Sequence, residues 1–156
     1  MATIVVETGS GSSTANSYVS ESELATYALD RGVTLTGTSS VLIIQAMDYL
    51  ESRNFIGTKS TLAQSLQWPR TGVEIDNYYI VSNSIPVLLK EAEMELCIAL
   101  DGGVNPLANQ DRETRKEKVG ELEVEYAPSA AAITYLTAVQ AKLKKLVLPT
   151  ARIVRV

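Results

Sequence analysis

The stretch Leu62–Gly72, LAQSLQWPRTG, decides how the middle of the chain folds. It holds the only tryptophan, Trp68, directly before Pro69 and Arg70. A helical pattern precedes the stretch and another begins near residue 85, which leaves a connection too long for a structureless loop in a compact domain. Because a residue before proline is disfavoured in helical backbone, residues 61–67 are predicted to form two helical turns that end at Trp68.

Three residues around this connection are interpreted as structural anchors: Trp68, Pro69 and Pro86. A large aromatic ring is typical of a core, so Trp68 is predicted to fasten the connection to the helices. A contact between Trp68 and a partner protein is the alternative. Pro86 is expected to open a helix, since proline is tolerated in the first turn. Arg70 is a candidate partner-binding residue, pairing either with a carboxylate of its own subunit or with a neighbouring copy.

Working outward, the sequence predicts a mainly α protein. Ser20 and Glu23 have the spacing of a capping box, and Gly32 supplies a stop for the first helix. The third helix is the most hydrophobic and is expected to lie at the centre of the core. In the second helix the apolar stripe is assigned to Val41, Ile44, Ala46, Met47 and Leu50. The four predicted helices span about residues 21–31, 39–54, 86–101 and 130–146.

Extended segments complete the predicted fold, a compact bundle of about four helices with a small β element in a single domain over residues 1–156. Residues 73–75 and 79–81 are expected to pair as a hairpin. Residues 120–126 alternate strictly, which places Glu121, Glu123 and Glu125 on one face of a strand. From the residues alone, such a charged face is typical of an edge strand kept soluble by its charge.

The two ends of the chain are predicted to be extended: an N-terminal segment, residues 1–19, and a C-terminal arm, residues 147–156. The Gly- and Ser-rich loop at residues 9–17 lacks the Gly-Lys-Ser/Thr ending of a phosphate-binding loop. The arm follows a proline and is expected to add a strand to another chain. A disordered end is the competing interpretation.

Charge is divided unevenly along the chain, whose formal net charge is −4. Residues 127–156 hold five basic and no acidic side chains, whereas residues 1–126 hold 9 basic and 18 acidic ones. A basic end on an acidic body suggests contact with another copy or with an acidic partner. A solvated, lysine-rich helix face is the alternative. The candidate partner-binding residues here are Lys142, Lys144, Lys145, Arg152, Ile153, Val154 and Arg155.

The residue inventory argues against several functions. The chain has no histidine and one cysteine, Cys97, which removes zinc sites and Ser-His or Cys-His catalysis within one chain. We therefore expect no enzymatic activity and no bound cofactor or metal; a catalytic site built on carboxylates is the alternative. Glu91, Glu93 and Glu95 are interpreted as the wet face of the third helix. No apolar run is long enough to span a membrane, and a signal peptide is not expected. A pI near 4.9 and scattered tyrosines oppose a general nucleic-acid binder.

A family resemblance runs through these segments in order. IVVETGSGSSTANSYVSESELATYALDRG, AMDYLESRNFIGTKS, LQWPRTG, SIPVLLKEAEMELCIAL and KVGELEVEYA resemble the motifs of head–tail connector adaptors of tailed bacteriophages, over about residues 4–126. Some members of that family are labelled DnaT-like single-stranded-DNA-binding proteins. The C-terminal helix and arm match more loosely.

The resemblance implies a structural virion protein of the phage neck, assembled in the bacterial host cytoplasm. It implies a closed ring of about twelve copies, bridging the portal protein to the tail or to a stopper or terminator protein. DNA is expected to pass through such a ring without specific binding, because acidic walls repel phosphates. Glu121, Glu123 and Glu125 are then predicted to face this DNA channel or the solvent. No membrane contact is expected. The alternative is a DnaT-like nucleic-acid-binding accessory protein of replication.

Overall fold

A computed structural model of the chain describes residues 2–107, 116–119, 122–125 and 136–148. The described residues form four α-helices: α1 (Glu21–Asp30), α2 (Ser39–Glu51), α3 (Val87–Asp101) and α4 (Thr137–Leu143). Six short strands pair antiparallel in sequence order: β1 (Thr58–Lys59) with β2 (Arg70–Thr71), β3 (Glu74–Ile75) with β4 (Tyr78–Tyr79), and β5 (Lys116–Val119) with β6 (Leu122–Glu125). The predicted class, mainly α with small β elements, is confirmed.

Helix α1 begins where its sequence signals predict. The Ser20 hydroxyl accepts a hydrogen bond from the Glu23 amide at 3.2 Å, and the Glu23 carboxylate accepts from the Ser20 amide at 2.7 Å. This reciprocal capping box satisfies two of the amides that a helix start leaves unpaired. The helix ends at Asp30, and Gly32 follows with a φ of +69°. A left-handed conformation of this kind is the usual C-terminal stop.

The buried face of α2 differs from the predicted one. Leu42 and Ile43 are buried, whereas Val41 is 46% exposed. Residues 41–44 are all apolar, so helical periodicity alone did not determine which of them face the core. Ala46, Met47 and Leu50 are buried, as predicted. The helix also ends at Glu51 rather than near residue 54.

Helix α3 is the central helix of the core and contacts α1, α2 and α4. It starts directly after Pro86, and Gly103 follows it with a φ of +87°. The carboxylate of its last residue, Asp101, accepts hydrogen bonds from the amides of Thr36 at 3.0 Å and Gly37 at 2.6 Å. These bonds tie the α1–α2 connection to the end of α3 and hold the pKa of Asp101 below its ordinary value.

Residues 61–67 contain no helix, so the prediction of two helical turns is wrong. The Gln64 side chain, 4% exposed, accepts from the Thr61 amide at 2.9 Å and donates to the carbonyls of Leu66 at 2.9 Å and Pro69 at 3.0 Å. Two amides that a helix would pair internally are bound elsewhere, since Ser65 donates to the Ser12 carbonyl at 2.9 Å and Gln67 to the Glu51 carboxylate at 3.1 Å. The β1–β2 pair brings the two ends of this segment together, so residues 60–69 form a closed loop.

The predicted hairpin is present, but its strands are shorter and its turn has two residues, because Tyr78 lies in β4 instead of in the turn. Ile75 pairs with Tyr78, and Asp76 and Asn77 form the turn with φ values of +53° and +66°. Two central residues with positive φ are typical of the tight hairpin turn that matches the twist of its strands, and Asn and Asp tolerate that conformation. The ladder extends by one hydrogen bond, from the Ile80 amide to the Val73 carbonyl at 2.9 Å.

Both ends of the described chain are fastened by backbone bridges. Val6 forms a bridge with Ser17, which closes the N-terminal loop. At the other end Val147 forms a bridge with Phe55, and the Leu148 amide donates to the Asn54 carbonyl at 2.8 Å. The first two residues of the predicted C-terminal arm therefore run alongside the chain after α2. The remaining arm residues, and residues 130–135 of the predicted fourth helix, lie outside the described residues.

Candidate functional site

Trp68, a residue of the closed loop 60–69, is fully buried at 0% exposure. Its ring meets Phe55 edge to face, with centroids 6.1 Å apart and an interplanar angle of 80°. The Trp68 amide donates to the Tyr18 hydroxyl at 3.2 Å, and that hydroxyl donates to the Glu51 carboxylate at 2.8 Å. Burial raises the pKa of both Tyr18 and Glu51. The Trp68 amide thus joins the loop to the N-terminal segment and, through the Tyr18 hydroxyl, to Glu51 of α2, while the ring packs on Phe55.

Arg70 is enclosed by carbonyl oxygens rather than by a carboxylate. Its side chain donates to the main-chain oxygens of Ile56 at 2.7 Å, Gly57 at 2.7 Å, Phe55 at 3.3 Å and Gln67 at 3.1 Å. A fifth bond reaches the Gln67 side chain at 2.9 Å. Arginine has five N–H donors, so every one is used. These oxygens take the place of the predicted carboxylate partner within the subunit. Arg70 is 8% exposed, and its predicted contact with a neighbouring copy stays a prediction.

The glycine- and serine-rich loop encloses a carboxylate of its own chain. Glu7, at 0% exposure, accepts from the amides of Gly9 at 2.7 Å, Gly11 at 3.1 Å and Ser12 at 2.7 Å, and from the Ser10 hydroxyl at 3.3 Å. Converging amides of this kind form an anion-binding concavity. Glu7 occupies that concavity, which gives the loop a structural function in place of phosphate binding.

Glu93 is a buried group that the sequence analysis missed. It is 0% exposed, whereas the prediction placed it on the wet face of α3 between Glu91 and Glu95. Residues two apart lie on nearly opposite sides of a helix, so Glu93 faces away from its two acidic neighbours. Glu93 lies four residues after Leu89, and Leu96 lies seven after Leu89, which is the spacing of one helix face. This spacing was the signal that Glu93 belongs to the apolar stripe. Burial raises its pKa to about 8.

Two of the three predicted lysine contacts are neutralised within the chain. Lys142 pairs with Glu91 of α3. The Lys145 ammonium lies 2.5 Å from the Asp76 carboxylate in the β3–β4 turn. Lys144 is exposed and makes no ion pair within the part of the chain that the structure describes. A contact of these lysines with a partner protein stays a prediction.

The β3–β4 hairpin presents an exposed aromatic pair. Tyr78 and Tyr79 are 77% and 80% exposed, and Val81, just after the hairpin, is 66% exposed. Because successive side chains of a strand point to opposite faces, one tyrosine ring is presented on each face of the hairpin, where it can contact a partner. The hairpin is tied to the end of α4 through the ion pair of Asp76 and Lys145. Sequence inspection counted the tyrosines as scattered because it gave no weight to this adjacent pair.

Several predicted site residues lie outside the described residues: Glu121, Arg152, Ile153, Val154 and Arg155. Glu123 and Glu125 lie in β6, and their predicted position facing a channel stays a prediction. Pro69 is buried, and Pro86 directly precedes α3. Among the described residues, no group of three or more Cys, Asp or Glu side chains has an arrangement that could hold a metal ion. No helix in the described ranges has the length and hydropathy required to cross a bilayer.

Comparison with known families supplies the decisive observation. Residues 2–156 match the model of a family described as "Putative DnaT-like ssDNA binding protein". The chain belongs to this DnaT-like family. The match covers the described helices together with the residues between and beyond them. No curated protein and no solved structure matches the chain. Membership of the DnaT-like family agrees with the label that accompanies the connector resemblance, and the connector identity itself stays a prediction.

Proposed function

We propose that the chain is a non-enzymatic accessory protein that binds single-stranded DNA at the β3–β4 hairpin. The carrying observation is the exposed pair of Tyr78 and Tyr79 in a chain whose family description names this ligand. Every base has an aromatic face, so stacking on tyrosine rings binds single strands without sequence preference. Each stacked base contributes about 1–3 kcal/mol by alanine substitution.

The charge of the hairpin sets the expected character of this binding. Glu74 and Asp76 lie on the hairpin, and Lys145 beside it is already paired with Asp76. Few phosphate contacts are therefore available, and stacking supplies most of the affinity. Each phosphate contact to a single strand adds about −0.7 to the slope of log affinity against log salt concentration. We therefore expect a weak salt dependence, with a slope no steeper than two phosphate contacts would give. A basic-groove binder would have a much steeper slope.

The test is fluorescence anisotropy of a labelled oligothymidine titrated with the protein over a range of salt concentrations. The variant with Tyr78→Ser and Tyr79→Ser is expected to lose at least about tenfold in affinity, since ~1.4 kcal/mol corresponds to a factor of ten. Leu29→Ser is the matched control because Leu29 is 68% exposed and lies on α1. Absence of binding by the unaltered protein at low salt would discard the proposal.

The phage neck adaptor is a second proposal, and the acidity of the chain favours it. Residues 1–107 hold 12 acidic and 5 basic side chains, and Lys142 and Lys145 are paired internally. A ring with such walls would let DNA slide through, because repelled phosphates form few attractive contacts. It would lie in the virion between the portal and the tail.

Native mass measurement of the protein mixed with portal rings tests the adaptor proposal. A bound ring of about twelve subunits supports it, as expected for a closed symmetric assembly. Deletion of residues 149–156 is expected to leave a folded subunit that no longer joins the portal. If the shortened chain binds portal rings as well as the full chain does, the C-terminal arm is not the docking element.

A further inference from the structure

The N-terminal segment, residues 2–19, is joined to α3 at one buried carboxyl group. One oxygen of Glu93 accepts a hydrogen bond from the Tyr18 amide at 3.0 Å. The other oxygen lies 2.7 Å from the Ser17 hydroxyl. Glu93, Ser17 and Tyr18 are each 0% exposed, so bulk solvent does not reach these contacts. The protonation state of Glu93 therefore decides whether this junction is satisfied.

Counting the hydrogens around Ser17 identifies that state. The Ser17 hydroxyl oxygen lies 2.6 Å from the Val19 carbonyl oxygen and 2.7 Å from the Glu93 carboxyl oxygen, and it accepts from the Val19 amide at 3.0 Å. A hydroxyl has one hydrogen and a carbonyl has none. If Ser17 donates to Val19, the contact with Glu93 needs a hydrogen from Glu93. If Ser17 instead donates to Glu93, two lone-pair oxygens face each other at 2.6 Å.

The charged groups near Glu93 act in opposite directions: Lys90 lowers its pKa and Glu23 raises it. The titratable groups that face it are Tyr18 of the N-terminal segment, Glu23 of α1, and Lys90 and Cys97 of α3. Lys90 is the only cation in this set, and its ammonium lies 3.3 Å from the Glu23 carboxylate instead. Burial is the main cause that raises the pKa of Glu93, to about 8.

We infer that Glu93 is a neutral carboxylic acid that donates to Ser17, and that its ionisation loosens the N-terminal segment from α3. The carboxyl hydrogen satisfies the Ser17 contact, while the second oxygen keeps the Tyr18 amide. On ionisation the donor is lost and an unpaired charge remains among apolar side chains. The effect reaches the Trp68 loop, because the Tyr18 hydroxyl holds the Trp68 amide.

The pH dependence follows from the direction of the shift. In the unfolded chain Glu93 loses its proton near its ordinary pKa of 4.5, whereas in the folded chain it keeps the proton up to about pH 8. The stability that the buried acid provides is thus fully present below pH 4.5 and is lost as the pH rises through about 8. Between these values the folded state binds one proton more, so this site raises the unfolding equilibrium constant by about tenfold per pH unit.

Two measurements test the inference. Carbon-13 NMR of the Glu93 carboxyl in the unaltered protein is expected to show titration well above pH 6; titration near its ordinary value would overturn the inference. Urea unfolding between pH 5 and pH 8, followed by Trp68 emission, is then compared with Glu93→Gln. Glutamine supplies a donor for Ser17 and an acceptor for the Tyr18 amide, carries one further N–H, and cannot ionise.

The pH dependence of unfolding is compared between the unaltered protein, Glu93→Gln and the control Glu21→Gln. The ratio of unfolding constants, unaltered protein over Glu93→Gln, is expected to rise by about tenfold per pH unit over this range. Glu21→Gln, the same chemical change on α1 at a site that is not buried, is expected to retain the pH dependence of the unaltered protein. Equal pH dependence of Glu93→Gln and the unaltered protein would contradict the inference. If Glu93→Gln does not fold, the NMR titration still decides.

Discussion

Replacing Arg70 with lysine removes the clamp on the Trp68 loop while keeping the positive charge. The guanidinium makes five hydrogen bonds within the chain, four of them to main-chain oxygens. Lysine has three donors on one nitrogen, so at least two bonds are lost. A hydrogen bond to a charged group contributes about 1.5–3 kcal/mol. Because water or lysine replaces part of that loss, we expect Arg70→Lys to lower the free energy of unfolding by about 3 kcal/mol.

The assay is urea unfolding at neutral pH, with the emission of the single buried tryptophan as the signal. Arg31→Lys is the control, since Arg31 pairs with Glu95 at 3.3 Å and its side chain is 39% exposed. Arg31 also donates to the Tyr27 carbonyl at 3.2 Å and lies over the Tyr27 ring. Lysine keeps the ion pair and the positive charge over the ring, so the control is expected to lose only about 1 kcal/mol or less. If Arg70→Lys is as stable as the control, the carbonyl clamp is not what holds the loop. If Arg70→Lys lowers the free energy of unfolding by the same amount at different protein concentrations, the lost contacts lie within one subunit.

Two further substitutions follow from the packing. Trp68→Ala removes a fully buried ring beside Phe55 and is expected to cost about 3–5 kcal/mol of unfolding free energy, measured by urea unfolding followed by circular dichroism. A loss below about 1 kcal/mol would mean that the site collapses around the missing ring. Gly9→Ala is expected to lower the melting temperature strongly, because φ is +110° and a Cβ would lie 1.9 Å from the Asn83 carbonyl oxygen. Gly32→Ala meets open space and should cost only about 1–2 kcal/mol for its left-handed backbone, so equal effects of the two would contradict this reasoning.

The helix boundaries were predictable where a local signal stands at the end of the segment. Ser20 and Glu23 fix the start of α1, and Pro86 and Gly103 bracket α3. These residues act through their own backbone or through a neighbour three positions away, which a sequence records directly. The type of element was therefore recoverable without tertiary information.

The buried faces and the loop were not predictable for the opposite reason. The four apolar residues at 41–44 permit several orientations of α2, and only packing against α3 selects one. Residues 61–67 have an acceptable helical pattern, but the Ser65 amide donates to the Ser12 carbonyl and the Gln67 amide to the Glu51 carboxylate. Local preference was overridden by contacts distant in sequence.

The candidate site shows the same division. Aromatic residues at 78 and 79 were visible in the sequence, but their exposure depends on where the hairpin lies relative to α4. Glu93 was read as one of three surface acids, although its helical spacing to Leu89 pointed to the core. Charged residues are seldom buried, so Glu93 was assigned to the exposed face of α3 because of its charge, although its helical spacing indicated the buried face.

Glu7 gives the N-terminal loop its own tethered ligand. A group held by the same chain binds at an effective concentration set by the connecting backbone, which is in the millimolar range or higher for short connections. Free phosphate or nucleotide would have to compete against that concentration as well as against the four hydrogen bonds already made. The conformation of the loop is therefore expected not to depend on the concentration of phosphate or other anions in solution, because Glu7 already fills the anion-binding concavity.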